Sequence, residues 1–139
     1  MKTVRFPFER QRSGIFGTVY RPVARVDLWS TRSCGWVEVV MLVDTGADYT
    51  LLPRTYAAVL GISLRTQCRR VMTAGIGGTE RVYLLPRLQA RLGSWTRRIP
   101  VGFLDRDDVP PLLGRIRCLD TFDVRFVLHE TIFALPRRR

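Results

Sequence analysis

The stretch VVMLVDTGADYTLLP, residues 39–53, sets Asp44 directly after an apolar run, with Thr45, Gly46 and Asp48 close behind. Burying a lone carboxylate is costly, so an acid at the end of a core strand needs a partner, water or a cleft to face. Asp-Thr-Gly is a common tripeptide, but here it describes a tight turn that projects a carboxylate. Gly46 permits that turn and lets the backbone come close to a substrate. A carboxylate held this way can take or give a proton as a general base or acid. Two further motifs follow. Gly75-Ile76-Gly77-Gly78 joins the extended arms of VMTAGIGGTERVYLL, and Pro110-Pro111-Leu112-Leu113-Gly114-Arg115 precedes a short helical segment. Three glycines around one isoleucine give a turn whose backbone can approach a ligand; taken alone, the same residues are a plain glycine turn.

The elements that must position these motifs read as β-strands. Residues 18–28 alternate around Val19, Val23, Val26 and Leu28, and 36–43 are almost continuously apolar, which predicts a strand buried on both faces. Leu88, Ala90 and Leu92 alternate before Gly93-Ser94 turns the chain into WTRRIPVGFL, and VRFVL and TIFAL form a last pair. Pro53 and Gly61 bracket one short helix with Tyr56, Val59 and Leu60 on a shared face, and a second is expected over residues 115–120. The pattern predicts an all-β fold with two short helices. A length of 139 residues predicts a single domain, 1–139, with its core over about 18–135 and with 1–17 and 136–139 as terminal extensions.

Composition narrows the class. A hydrophobic fraction of 46% suits a globular chain rather than a disordered one. No apolar run approaches the roughly 20 residues of a membrane span, and MKTVRFPFERQR carries charges where a signal peptide needs apolar residues. A soluble, cytoplasmic protein without a membrane partner is expected. Cys34, Cys68 and Cys118 are far apart with no C-x-x-C pair, so no metal or cofactor is expected and the thiols read as reduced and mostly buried. His129, the only histidine, lies in an apparent strand and reads as a surface or satisfied core residue. A net charge of +11 raises nucleic acid as a partner. Its arginines are scattered, however, as Arg69-Arg70, Arg97-Arg98 and Arg137-Arg138-Arg139, and no nucleic-acid-binding motif accompanies them, so a solvated surface is the simpler reading.

The three motifs together resemble the retropepsins, the retroviral-type aspartic proteases. Val-Asp-Thr-Gly-Ala-Asp-x-Thr, then GIGG about thirty residues on, then Leu-Leu-Gly-Arg before a short helix, match in order and rough spacing over about residues 36–126. The helix expected at 53–60 is longer than viral members have there, so the resemblance is nearest to the single-domain bacterial and archaeal members. It implies a closed β-barrel of the acid protease type and a homodimer in which each subunit supplies one Asp44.

Several roles are implied by the resemblance. Two Asp44 carboxylates in contact cannot both ionise cheaply, so they would share one proton, activate a water and cleave a peptide directly, best under acidic conditions. Thr45 would bond across the dimer axis, and Gly46 would offer its carbonyl to the substrate. Ala47 and Asp48 would line the substrate's path, with Asp48 paired to Arg115; a turn-capping acid is the alternative. Gly75, Ile76, Gly77 and Gly78 would form a flap closing over a peptide. Pro110 and Leu112 would line specificity pockets or simply pack in the core. The acidic run Asp105-Arg106-Asp107-Asp108 would favour basic substrate side chains or be a polar loop. The terminal extensions would join the dimer interface or leave it to be built otherwise. A catalytically silent dimer that binds peptides or scaffolds a partner is the competing reading, and a nucleic-acid-associated protein the third.

Overall fold

The computed structural model describes residues 2–135; the 136–139 extension, including Arg137-Arg138-Arg139, lies outside the described residues. In chain order the strands are β1 (Thr3–Pro7), β2 (Glu9–Ser13), β3 (Gly17–Arg21), β4 (Val23–Ser30), β5 (Gly35–Val43), β6 (Thr50–Leu52), β7 (Arg69–Gly75), β8 (Gly78–Leu92), β9 (Trp95–Leu104), β10 (Leu112–Leu113), β11 (Asp123–Val127) and β12 (Glu130–Ala134). Two short α-helices, α1 (Thr55–Leu60) and α2 (Leu64–Gln67), lie between β6 and β7.

Six strands close on themselves. The hydrogen-bonded order runs β4-β5-β10-β6-β9-β8, and β8 returns to β4 through Asp27↔Arg91 and Leu28↔Ala90. Closure removes the exposed edges that an open sheet would present. At the seam Arg91 lies 2.9 Å from Asp27 and its guanidinium sits 4.5 Å over the Trp36 ring. Alternation then decides which side chains fill the barrel. Ala24, Val26 and Leu28 of β4, Val39, Met41 and Val43 of β5, and Ile99, Val101 and Phe103 of β9 all point inward. The other face of β5 is only partly covered: Val40 is exposed and Leu42 half-buried, so the strand expected to be buried on both faces is buried fully on one. Outside the barrel, β12 pairs with both β1 and β11, and Phe122 links this small sheet to it by packing between Phe133 of β12 and Trp95 of β9. Strands β2 and β3 form a separate hairpin.

Local chemistry accounts for the other departures from expectation. The strand expected over 18–28 breaks at Pro22, which has no N–H to donate; β3 before it pairs with β2, and β4 after it pairs with β5. His129 is not in a strand. It shares a turn with Leu128, both at positive φ (62° and 47°), and stacks on Tyr20 with ring centroids 4.1 Å apart. Helix α1 starts at Thr55, two residues after Pro53, where the Asp107 carboxylate accepts the Thr55 N–H. Its inner face is Ala57 and Leu60, while Val59, expected on that face, is exposed. Gly61, at φ 72°, ends it with Thr31 so near that a Cβ would lie 2.3 Å from the hydroxyl. Helix α2 was not expected, although Ser63 carries its signal: the hydroxyl accepts the Thr66 N–H. The helix expected at 115–120 is instead a turn, with Arg117 at positive φ, followed by a 3-10 helix at Leu119–Thr121.

The thiols are graded rather than mostly buried: Cys34 is exposed, Cys68 half-buried and Cys118 buried. Burial raises the Cys68 pKa and pushes Cys118 up to about 12, a hydrogen bond with Thr50 offsetting a little of the latter. Thiolate is the reactive form, so alkylation followed by mass spectrometry should mark Cys34 first, Cys68 slowly, and Cys118 only on unfolding. Native-state labelling of Cys118 ahead of Cys68 would contradict this packing. Among the described residues no helix is long and apolar enough to cross a membrane.

Candidate active site

Asp44 follows the last residue of β5, and the chain around it is clamped from one side by residues 111–116. Leu42 N–H donates to the Pro111 carbonyl at 2.9 Å, and Asp44 N–H donates to the Leu113 carbonyl at 3.0 Å. Within the turn, Gly46 N–H donates to Asp44 Oδ1 at 2.9 Å, the local bond that makes Asp a turn former. On the far arm, Arg115 N–H donates to the Ala47 carbonyl at 3.0 Å and Ile116 N–H to the Asp48 carbonyl at 2.7 Å. The buried Thr50 hydroxyl accepts the Gly114 N–H at 3.2 Å. Strand β10 thus runs between β5 and β6, parallel to the first and antiparallel to the second, and the Asp44–Tyr49 loop spans it.

Asp48 has a charge partner of its own. Its carboxylate accepts from Arg115 Nη2 at 2.8 Å. The pair is solvent-exposed, with side chains 71% and 45% accessible, and such pairs contribute at most about 1 kcal/mol. Its value is geometric: it fixes where the second acid points.

Asp44, Gly46 and Ala47 form the floor of a cleft of about 450 Å³. Leu51, Val82, Leu104 and Leu112 make an apolar wall, and Thr73, Gly75 and Ile76 of the glycine hairpin also line the cleft. Tyr49 and Thr73 share a hydroxyl hydrogen bond of 2.5 Å, tying the Asp44–Tyr49 loop to β7. Ile76 is fully exposed at the tip. A large apolar side chain left in water at the mouth of a cleft gains only when something covers it.

Of the residues singled out from sequence, Asp44, Gly46, Ala47, Asp48, Gly75, Ile76 and Leu112 come together at this cleft. Thr45, Gly77 and Gly78 do not line it within one chain, and Thr45 is exposed beside it. Pro110 borders a different groove of about 380 Å³, on the outer face of β5 with Val40 and Leu42. Tyr49, Thr73, Glu80, Val82 and Leu104 also reach the cleft and were not singled out. For Glu80 and Val82 the alternation of β8 is the available signal, because the two share the face opposite Arg81.

The run Asp105–Asp108 is occupied by its own neighbours. Asp105 pairs with Arg54, Asp107 holds the first turn of α1, and Asp108 pairs with Arg106, whose guanidinium keeps that carboxyl below the usual range. None of the four lines the cleft. Among the described residues neither does any Lys, Arg or His, although the chain's net charge is +11.

A closed barrel, a short strand threaded past an Asp-Thr-Gly turn and a glycine hairpin bordering the resulting cleft define a retropepsin-like acid protease fold. The family model described as "Aspartyl protease" matches residues 30–115, and the chain belongs to that family. Among solved structures it is similar to a retropepsin-like aspartic protease from Rickettsia conorii, with 19% identity, 95% of this chain and 98% of that one covered, and a TM-score of 0.65. No curated protein matches the chain.

Proposed function

We propose that the protein is an aspartic endopeptidase whose active site is completed by a second copy of the chain. One observation carries this reading. Of the three carboxylates lining the cleft, Asp48 is paired with Arg115 and Glu80 with Arg106, which leaves Asp44 alone without an ion-pair partner among the described residues. General acid–base hydrolysis of a peptide needs a base for the water and an acid for the carbonyl. One chain offers half of that, and a two-fold related copy offers the other half.

In the dimer the two Asp44 carboxyls hold one proton between them, because a second negative charge in contact is expensive. The ionised partner takes a proton from the water as its oxygen attacks the carbonyl carbon. The protonated partner donates to the carbonyl oxygen. Collapse of the tetrahedral adduct then breaks the C–N bond as the leaving nitrogen takes a proton. Thr45, exposed in a single chain, bonds to its counterpart across the axis. Gly46 and Asp48 hold the peptide backbone, and the Gly75–Gly78 turn with Ile76 closes over it and excludes water. The whole chain, 1–139, acts as one domain in this scheme.

Stoichiometry tests it. A statine-type transition-state mimic should bind once per two chains by calorimetry, and activity per mole should fall on dilution through the dimer dissociation constant. One inhibitor per chain, or constant specific activity at every dilution, would overturn the shared site.

A further inference from the structure

The reaction class leaves open which peptides enter the cleft, and its charge pattern speaks to that. The strongest feature is Glu80 on β8. Alternation along β8 turns Glu80 to the same side as Val82, which is fully buried in the cleft wall, and turns Arg81 to the opposite side. Glu80 therefore lines the same cleft as Leu51, Val82 and Leu104, and its carboxylate meets Arg106.

Its counter-charge is shared. Arg106 Nη1 donates to Glu80 Oε1 at 2.7 Å, but Nε and Nη2 of the same guanidinium both go to Asp108. The two-pronged contact to Asp108 is the stronger geometry. Two carboxylates on one arginine leave a net charge of −1. Arg81 does not neutralise it, because that side chain faces away and lies 3.9 Å from Asp105. Glu80, with one contact to Arg106 against two for Asp108, is thus the acid with the weaker counter-charge.

We infer that Glu80 selects peptides bearing a lysine or arginine side chain close to the scissile bond, within a frame of otherwise apolar residues. The substrate's cation completes an alternating row: substrate cation, Glu80, Arg106, Asp108. The preference for basic side chains thus belongs to the arm of the flap hairpin, not to the Asp105–Asp108 loop. The inference rests on the protease reading for the identity of the ligand as a peptide, but binding alone can test it.

The test uses fluorescently labelled peptides differing at one position, Lys, norleucine or Glu, scanned across the residues flanking a central apolar pair. Binding is read by anisotropy on the Asp44→Asn chain, which holds peptide without cutting it, with and without Glu80→Gln. At one position Lys should bind about tenfold tighter than norleucine, the scale of one charge-assisted contact. That ratio should fall to near unity in Glu80→Gln and invert toward the Glu peptide in Glu80→Arg. In the chain with Glu80 intact, added salt should erode the Lys preference without affecting norleucine, which reads the same contact should a variant fail to fold. A Lys preference unchanged by Glu80→Gln, or no position at which Lys is preferred, would overturn the assignment. Cleavage of peptides by the wild-type chain with no basic preference removes Glu80's role and leaves the protease reading intact. A Glu80-dependent Lys preference in a wild-type chain that cuts nothing does the reverse.

Discussion

Asp44→Asn is expected to lower kcat/KM toward an unfolded protein substrate at acidic pH by about 1,000-fold or more, the scale on which a positioned acid–base group acts. The substitution is chosen to spare the fold. Asparagine keeps Oδ1, so the turn bond from the Gly46 N–H survives, as does the main-chain bond from Asp44 N–H to Leu113. What it removes is the ability to hold and release a proton. Thermal unfolding should therefore stay near wild type while activity vanishes. A shared site adds a second expectation. Wild-type chains equilibrated with a large excess of Asp44→Asn chains should lose activity in proportion to their capture in mixed dimers, since each mixed dimer has one working carboxylate. If the variant retains a tenth or more of wild-type activity, or the mixture keeps all of it, Asp44 is not the shared catalytic group.

The parts of this fold that were legible in the sequence are those written in short-range patterns. The Asp-Thr-Gly turn, the glycine hairpin and the Leu-Leu-Gly-Arg element are contiguous, and their residues Asp44, Gly75 and Leu112 do meet at one cleft. The Asp48–Arg115 contact also forms. What a linear reading misjudged depended on neighbours far away in the chain. Val40 reads as core because it sits in an apolar run, yet it is exposed in a groove on the outer face of β5. The Asp105–Asp108 run reads either as a patch aimed at substrate or as a polar loop, and only its distant neighbours Arg54, Thr55 and Arg106, which occupy it, decide for the loop. Glu80 reads as one polar residue in a hairpin arm, and only the barrel brings Leu104 and Leu51 around it. Arg117 carries no composition signal for a positive φ, and it breaks the helix expected there.

The largest stability effect should come from Gly114→Ala. A Cβ at this buried position would lie 2.2 Å from the Tyr49 carbonyl carbon and 2.3 Å from its oxygen. Those are backbone atoms, so no rotamer change relieves the overlap. Nor can the two segments simply separate. Arg115 N–H and Ile116 N–H are bonded to the Ala47 and Asp48 carbonyls, and Gly114 N–H is bonded to Thr50. Backing away breaks these bonds and moves the Asp44–Tyr49 loop with them. Overpacking of this kind costs about 3 kcal/mol or more where the neighbours cannot relax, a fall in Tm on the order of 10 °C for a chain of this size. Gly77→Ala is the control, because its Cβ would meet nothing within 4 Å and its cost should stay within about 0.5 kcal/mol. Calorimetric scans of the two variants beside wild type measure the difference. Equal Tm values for Gly114→Ala and Gly77→Ala would mean that β10 does not press against the Asp44–Tyr49 loop this closely. The positioning of Asp44 would then rest on the main-chain hydrogen bonds alone.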